Sequence, residues 1–509
     1  MVLHQGAADV AVRVGLGSAP GECPPTFAVL VAPATSGFGQ WHIHAWRWPA
    51  DHATVHFFDI PQDWLRTHEH CAALLLTDQS GAPSCTLEVD HATIDDEVHR
   101  HLESGRFQDL TPLNLLAARH TLWPALSLGP QARGIHIAVA SCQYASGMID
   151  GAPQDGPWAP GPADLSYHRL GQWQKHTHLD AVLLVGDQVY NDATAGLFDP
   201  TAVDDRYHGP YRHWLSRPVV RRALAGPMVH ALPDDHEFHD NWSPIGPLHT
   251  RFGDNNHVRQ NGLAAYFAHL RGHHSAHTAP PVWYHFQQGP IACFMMDTRT
   301  ERERRQARTL GQARLMSSAQ RQALADWLAN HASSWAPKVV AGPSMVLPRR
   351  HTSLADEAGA LQSDAWDGYP AALHDLLTML WQHQARHLVF VSGDEHLGCV
   401  CQITISCPQA PQRDVTAWSV HCPALYAPYP FANSRREDFA ARESFPLLTG
   451  QDGPALVCHV DTWYPRPGDG FGVLGFQCQE GRWQGRVSFV QEDLATGLPH
   501  SPEVCRTLF

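Results

Sequence analysis

The sequence lacks the marks of several protein classes. No run approaches the roughly 18 apolar residues a membrane-spanning helix needs, so the chain reads as having no helical span. Its start, MVLHQGAADVAVRVGLGSAPGE, has no charged segment followed by an apolar one and no twin arginine. That reads against a secretory signal and for a cytoplasmic protein. The 12 cysteines include no CxxC pair and no compact framework, which points to reduced, mostly buried thiols rather than disulfides or a zinc knuckle. Basic residues are in deficit, with 36 Lys and Arg against 50 Asp and Glu and a formal charge of −14. This argues against a nucleic-acid surface built on general basicity and leaves only a local basic patch open. Low-complexity segments and internal repeats are also missing. What is abundant is histidine, with 36 residues spread along the chain, enough to swing the net charge around pH ~6.

A chain of 509 residues has room for a large core and more than one domain. Residues 1–130 read as a β-rich accessory domain, a sandwich by preference. WHIHAWRW (41–48) and TVHFFDI (54–60) alternate, and ALLLTDQSGAPSCTLEV (73–89) reads as two strands around a turn. From Gly134 the texture changes, and 131–509 reads as the catalytic domain. GIHIAVASC (134–142), DAVLLVGD (180–187), PIACFMMDTR (290–299), PKVVAGPSMVLP (337–348) and HLVFVSGDEH (387–396) are short apolar runs of the kind buried on both faces of a parallel sheet. A loop is expected at 150–164. Helices are expected over 165–178, 206–226 (arginines on the polar side), 261–272, 317–331 with Ser317 or Ser318 as N-cap, and 371–384. GFGVLGFQCQEGRWQGRVSFV (470–490) reads as a hairpin. Alternating strands and helices imply an α/β layered core, with antiparallel strands added or two sheets packed together.

Five strand ends carry side chains able to hold metals: Cys142; Asp187 with Tyr190; Asp234, Asp235 and His236; Asp297 and Arg299; Asp394 and His396. In open α/β sheets, sites form at the carboxyl ends of strands. If these strands lie side by side, the ends converge. Thiolate, carboxylate, phenolate and imidazole together compose a metal site. Two metals about 3.5–4 Å apart, sharing a carboxylate and a water, suit phosphoester hydrolysis. A nearby His or Arg can protonate the leaving oxygen or grip phosphate.

The segments ASC (140–142), GDQVYND (186–192), DDHEFHDN (234–241), MMDTR (295–299), WDGYP (366–370) and SGDEH (392–396), in that order, make the chain resemble the alkaline phosphatase D family of metallophosphoesterases. The resemblance spans roughly 134–400 and more loosely fits a β-rich domain ahead of the core. It implies a four-layer α-β-β-α core around two sheets, and a mixed iron(III) and calcium centre. Carried over by motif, Asp187 bridges the metals. Cys142, Tyr190 and His396 hold the ferric ion, and tyrosinate on iron would be coloured. Asp235 binds the second metal with Asp394, and Asp234 rivals Asp235 for that role. His236 follows as phosphate contact and leaving-group acid. Two departures stand out: Pro233 replaces the family's usual Trp, and the missing signal makes magnesium, manganese or zinc alternatives to calcium at the second site.

Plainer roles compete at several positions. Asp297 and Arg299 could pair to brace the sheet rather than touch phosphate, and Trp366 and Tyr369 could simply pack. HHSAH (273–277) reads as a solvated loop, and RTERERRQAR (299–308) as a solvated mixed-charge face. Glu237, Asp240 and Asn241 read as loop-shaping residues. The resulting expectation is a metal-dependent phosphoesterase acting on small phosphomonoesters or phosphodiesters by in-line attack of a metal-bridging hydroxide. A phosphodiesterase or nuclease acting on nucleotide or phospholipid headgroup esters competes with it. So does a non-catalytic binding protein on the same scaffold, against which the intact ligand set speaks.

Overall fold

The computed structural model describes residues 2–6, 12–17, 25–33, 41–48, 55–68, 70–76, 111–115, 134–145, 161–194, 198–244, 254–272, 280–428, 434–449, 453–491 and 503–509. The expected histidine loop at 273–277, residues 77–89 of the two strands expected over 73–89 and residues 150–160 of the expected loop lie outside them.

The N-terminal segments form two antiparallel sheets among the described residues. The first has the order β1 (Val2–Gly6), β2 (Val12–Gly17), β5 (Val55–Ile60). The second has the order β4 (Trp41–Arg47), β3 (Phe27–Pro33), β6 (His70–Leu76), β7 (Thr111–Asn114). Side chains alternate across a strand, and β3 shows it. Ala28, Leu30 and Ala32 join the main apolar cluster of the molecule, whereas Phe27, Val29 and Val31 pack with Ala45, Leu74 and Leu76.

Two larger sheets follow, giving a mixed α/β architecture. One runs β10 (Met228–Leu232), β9 (Ala181–Val185), β8 (Ile135–Gln143), β20 (Gly470–Gln479), β21 (Arg482–Gln491), β22 (Glu503–Thr507), with β17 (Ala424–Tyr426) pairing the end of β8. The other runs β11 (Tyr284–Gln288), β12 (Ile291–Met295), β13 (Lys338–Ala341), β14 (Leu388–Ser392), β16 (Val415–His421), β15 (Cys399–Ser406), β19 (Val457–Trp463), β18 (Arg442–Pro446). β8, β9 and β10 are mutually parallel, as are β12, β13, β14 and β16. Of these, β8, β9, β12, β13 and β14 are the short apolar runs of the sequence. β9, β12, β13 and β14 are buried at every residue, while the edge strand β11 alternates.

Residue parity shows what each face of the second sheet covers. Cys293, Met295, Val339, Ala341, Val389 and Val391 share one cluster with Ile137, Val139 and Leu183 of the first sheet. Their neighbours Phe294, Val340 and Phe390 share another with Leu324, Trp327 and Leu328 of helix Ser318–His331 and with Leu373, Leu376, Leu377 and Leu380 of helix Pro370–Gln382. Tyr167 and Leu170 of helix Pro162–His176, with Val220 and Leu224 of helix Pro218–Leu224, join the first cluster.

Local chemistry explains the element ends. Ser317 caps its helix by accepting from the Gln320 N–H. The β20–β21 turn uses Glu480 and Gly481, both at positive φ (50° and 77°), as a tight hairpin requires. The helix expected over 206–226 is instead a π-helical turn, Asp204–His208, then helices Gly209–Ser216 and Pro218–Leu224. Pro218 disfavours helical geometry at Arg217, which is extended. Nor are its arginines uniformly on the polar side. Arg206 and Arg217 are buried, and Arg217 is paired to Asp164. The segment at 261–272 lies in helix Asn255–Tyr266 and a π-turn, Phe267–Arg271, ended by Gly272 at φ 70°. A Cβ on Gly272 would meet Phe57 Cγ at 2.9 Å and Arg13 Cδ at 3.1 Å, so the first N-terminal sheet rests closely on this turn.

Leu183 is completely buried in β9. Leu183→Ala should cost about 2–5 kcal/mol and lower the urea midpoint. Leu448→Ala, at a side chain 73% exposed, should change stability by under about 0.5 kcal/mol.

Candidate metal centre

Because β8, β9 and β10 are parallel neighbours, their carboxyl ends share one edge. The chain leaves strand geometry there. Cys142, Gly186 and Asp187 have φ of 56°, 104° and 55°. At the end of β14, Asp394 and His396 have φ of 83° and 51°. Non-glycine residues rarely adopt this region, and such backbones concentrate at functional sites. Two glycines let the ends approach. A Cβ on Gly186 would lie 2.5 Å from Asp234 Cβ, and one on Gly393 would lie 2.1 Å from Ser141 Oγ. The second contact brings the end of β14 in one sheet against the end of β8 in the other.

Carboxylate oxygens of Asp187, Asp234, Asp235 and Asp394 lie within 4.8 Å of one another. Asp187, Asp235 and His236 form an overlapping group by the same measure, so Asp187 and Asp235 belong to both. Cys142 Sγ stands 3.5 Å from Asp187 Oδ2 and accepts the Asp394 N–H at 3.2 Å. The Tyr190 ring stacks on the His236 imidazole with centroids 4.1 Å apart, and Tyr144 meets Tyr190 edge-on at 5.2 Å. His396 lies half-buried two residues beyond Asp394 and is in neither group.

These groups are held against their ordinary protonation behaviour. Burial, then repulsion from Asp235, pushes the Asp187 carboxyl well up. Burial, then Asp234 and Asp235, does the same to Asp394. Burial raises Asp234 to about 6, although Arg299 pulls it down. The Cys142 thiol and Tyr190 phenol are raised by burial and by neighbouring acids. Burial alone would lower His236, but Asp192, Asp235 and Asp187 outweigh it and raise its pKa. Asp234 Oδ2 is buried and has no hydrogen-bond partner. A crowd of buried carboxylates with an unpartnered oxygen, flanked by thiol, phenol and imidazole, fits a multivalent cation in chemistry and in charge.

Other residues fix this arrangement. Glu237, fully buried, accepts the backbone N–H groups of Asp187 (3.0 Å), Gln188 (2.8 Å), Val189 (3.4 Å) and Asp234 (2.6 Å). It therefore clamps the loops after β9 and β10 together. Asp192 Oδ1 lies 2.8 Å from His236 Nδ1, and its Oδ2 accepts the Asp240 N–H at 2.6 Å. That contact orients the imidazole through Nδ1.

Arg299 is completely buried. Its Nε donates to Asp234 at 2.5 Å, its Nη1 to the Trp242 carbonyl at 3.1 Å, and its Nη2 to Asp364 at 2.5 Å and Asp235 at 3.4 Å. The guanidinium thus braces the carboxylates, and Asp297 is not its partner. The Asp297 side chain accepts the Arg299 and Thr300 N–H groups at 2.9 and 2.8 Å. The solvated face expected at 299–308 is corrected for Arg299 and Arg302, both buried, because Asp364 pairs with each. Arg305 lies over the Tyr369 ring at 4.5 Å. Trp366 and Tyr369 are packed in an apolar cluster. Sequence reasoning missed the roles of Asp192 and Asp364. Asp192 ends a quoted segment, GDQVYND. Asp364 follows no strand and carries no local signal.

The PhoD-like phosphatase profile matches residues 137–451, more than half of the chain. No curated protein matches it by sequence. A solved structure described as "Structure of PhoD" is similar in fold, with a TM-score of 0.61 at 13% identity, covering 99% of this chain and 88% of that one.

In metal-free protein, Asp234 and Glu237 have folded pKa values of about 6 and about 7, above their ordinary 3.8 and 4.5. The folded state then binds more protons than the unfolded one, so their contribution to stability falls as pH rises from about 4 to 7. A cation offsets that loss. The melting-temperature difference between metal-loaded and chelator-stripped protein should therefore widen from pH 5 to pH 7. A constant difference would contradict this electrostatic account.

Proposed function

The chain belongs to the PhoD-like phosphatase family, and from that premise we propose that it is a metal-dependent hydrolase of small phosphomonoesters or phosphodiesters. Family membership supports phosphoesterase activity, and the acidic cluster supports metal binding. One observation carries the finer reading: three buried carboxylates and the half-buried Asp394, from the ends of β9, β10 and β14, crowd within 4.8 Å. We extend the proposal to architecture, with a four-layer α-β-β-α catalytic domain over 131–509 and a separate β-sandwich over 1–130.

In this reading Asp187 would serve both of two cations. Cys142, Tyr190 and His396 would help hold one, iron(III) by family resemblance. Asp235 and Asp394, with Asp234 beside them, would hold the other, calcium or magnesium, manganese or zinc. Such a centre supplies a lowered pKa to the attacking water and neutralises the phosphate oxygens. His236 presents Nε2 for phosphate contact and for donating a proton to the leaving oxygen, with Asp192 orienting the ring. Arg299 supports Asp234 and Asp235 from behind and acts through them. The net charge of −14 favours a small ester over nucleic acid as substrate. No described helix is long and apolar enough to cross a membrane.

Asp187→Ala should reduce turnover of an aryl phosphomonoester and an aryl phosphodiester by at least about 1,000-fold. Retention of turnover would put the site elsewhere. Elemental analysis should find iron near one per chain with a broad visible band that disappears in Tyr190→Phe. A colourless protein holding two other divalent ions would keep the hydrolase reading and remove iron from it.

A further inference from the structure

The two halves of the acidic cluster are not electrically alike. Arg299 lays a guanidinium directly on Asp234 and Asp235, at 2.5 and 3.4 Å. On the other side, the Asp187 carboxylate lies 3.5 Å from the Cys142 thiol and accepts the His236 backbone N–H at 3.3 Å. A guanidinium keeps its charge at any working pH. The positive charge beside Asp234 and Asp235 therefore stays in place and opposes a second cation there.

Asp364 governs that charge. It accepts Arg299 Nη2 at 2.5 Å through Oδ2, while Oδ1 accepts from Arg302. Arg302 is itself fixed, donating to the Thr298 carbonyl at 2.8 Å and to Ser344 Oγ at 3.2 Å. The chain Arg302–Asp364–Arg299 thus runs from a rigid anchor to the carboxylates. Asp364 both aims the guanidinium and cancels part of its field.

We propose that Arg299, held and partly neutralised by Asp364, is a built-in counter-charge that makes the Asp234–Asp235–Asp394 half the weaker, exchangeable half of the metal centre. This rests on the metal-dependent reading above. Arg299 and Asp364 are positioning residues that set cation affinity. A purely mechanical brace and an electrostatic counter-charge differ in sign. Loss of a brace weakens binding whichever partner is removed. Loss of a counter-charge strengthens it, and loss of that counter-charge's own anion weakens it.

The test uses the full-length protein as purified. It is dialysed against EGTA, its retained metal is counted by elemental analysis, and it is then titrated with Mn2+, following free Mn2+ by electron paramagnetic resonance. The wild type should lose one cation first and refill that place with Mn2+. Asp364→Asn should weaken Mn2+ binding at least about ten-fold with retained metal unchanged, and Arg299→Gln should tighten it by a similar factor. Asp364→Glu, which keeps the charge, should restore affinity to near the wild-type value and carries the test if Arg299→Gln does not fold. Simultaneous loss of both cations from the wild type, unchanged affinity in Asp364→Asn, or weakened affinity in folded Arg299→Gln would each overturn the proposal. A wild type that neither holds nor takes up metal would instead defeat the metal-dependent reading itself.

Discussion

Like-charge crowding is the constraint on which the site depends. Carboxylates of Asp187, Asp234, Asp235 and Asp394 stand within 4.8 Å of one another in a buried setting. Burying ionised groups unpaired is among the costliest things a fold can do. The surrounding structure is arranged to hold them there. Glu237 locks two loop backbones, Arg299 supplies one fixed positive charge, and Asp192 holds the imidazole. A bound cation would complete the neutralisation.

Backbone geometry makes the crowding possible. Regular strands would send Asp394 and His396 to the same face but keep successive strand ends apart. Left-handed φ at Cys142, Asp187, Asp394 and His396 re-aims those side chains. Gly186 and Gly393 let neighbouring segments close to distances that a Cβ would forbid. The apolar layer between the sheets, with Val139, Leu183, Val339 and Val391, provides the rigid floor that stabilises these departures.

The arginine-rich segment after β12 shows how context inverts a local reading. Interleaved glutamates and arginines ordinarily mark a solvated face. Here Arg299 and Arg302 turn inward because Asp364, far along the chain, offers a carboxylate to both. Glu303 and Arg304, directly after them, remain exposed. The segment is therefore amphipathic in charge pairing rather than in hydropathy.

The sequence alone was enough to locate β8, β9, β12, β13 and β14, because strands buried on both faces are short unbroken apolar runs. It was enough for the β20–β21 hairpin and the Ser317 cap, whose signals are local. It also sufficed for the family, because six segments in order carry more information than any one of them. Tertiary structure decided the rest. Strand order comes from pairings between residues hundreds of positions apart, as with β8 and β20. Which carboxylate oxygens meet, that Asp234 Oδ2 lacks a partner, that the Arg299 guanidinium faces Asp234, Asp235 and Asp364 rather than Asp297, and that Asp364 takes part at all are set by side-chain directions. Those directions follow from left-handed turns and contacts across the sheets, which no local pattern encodes.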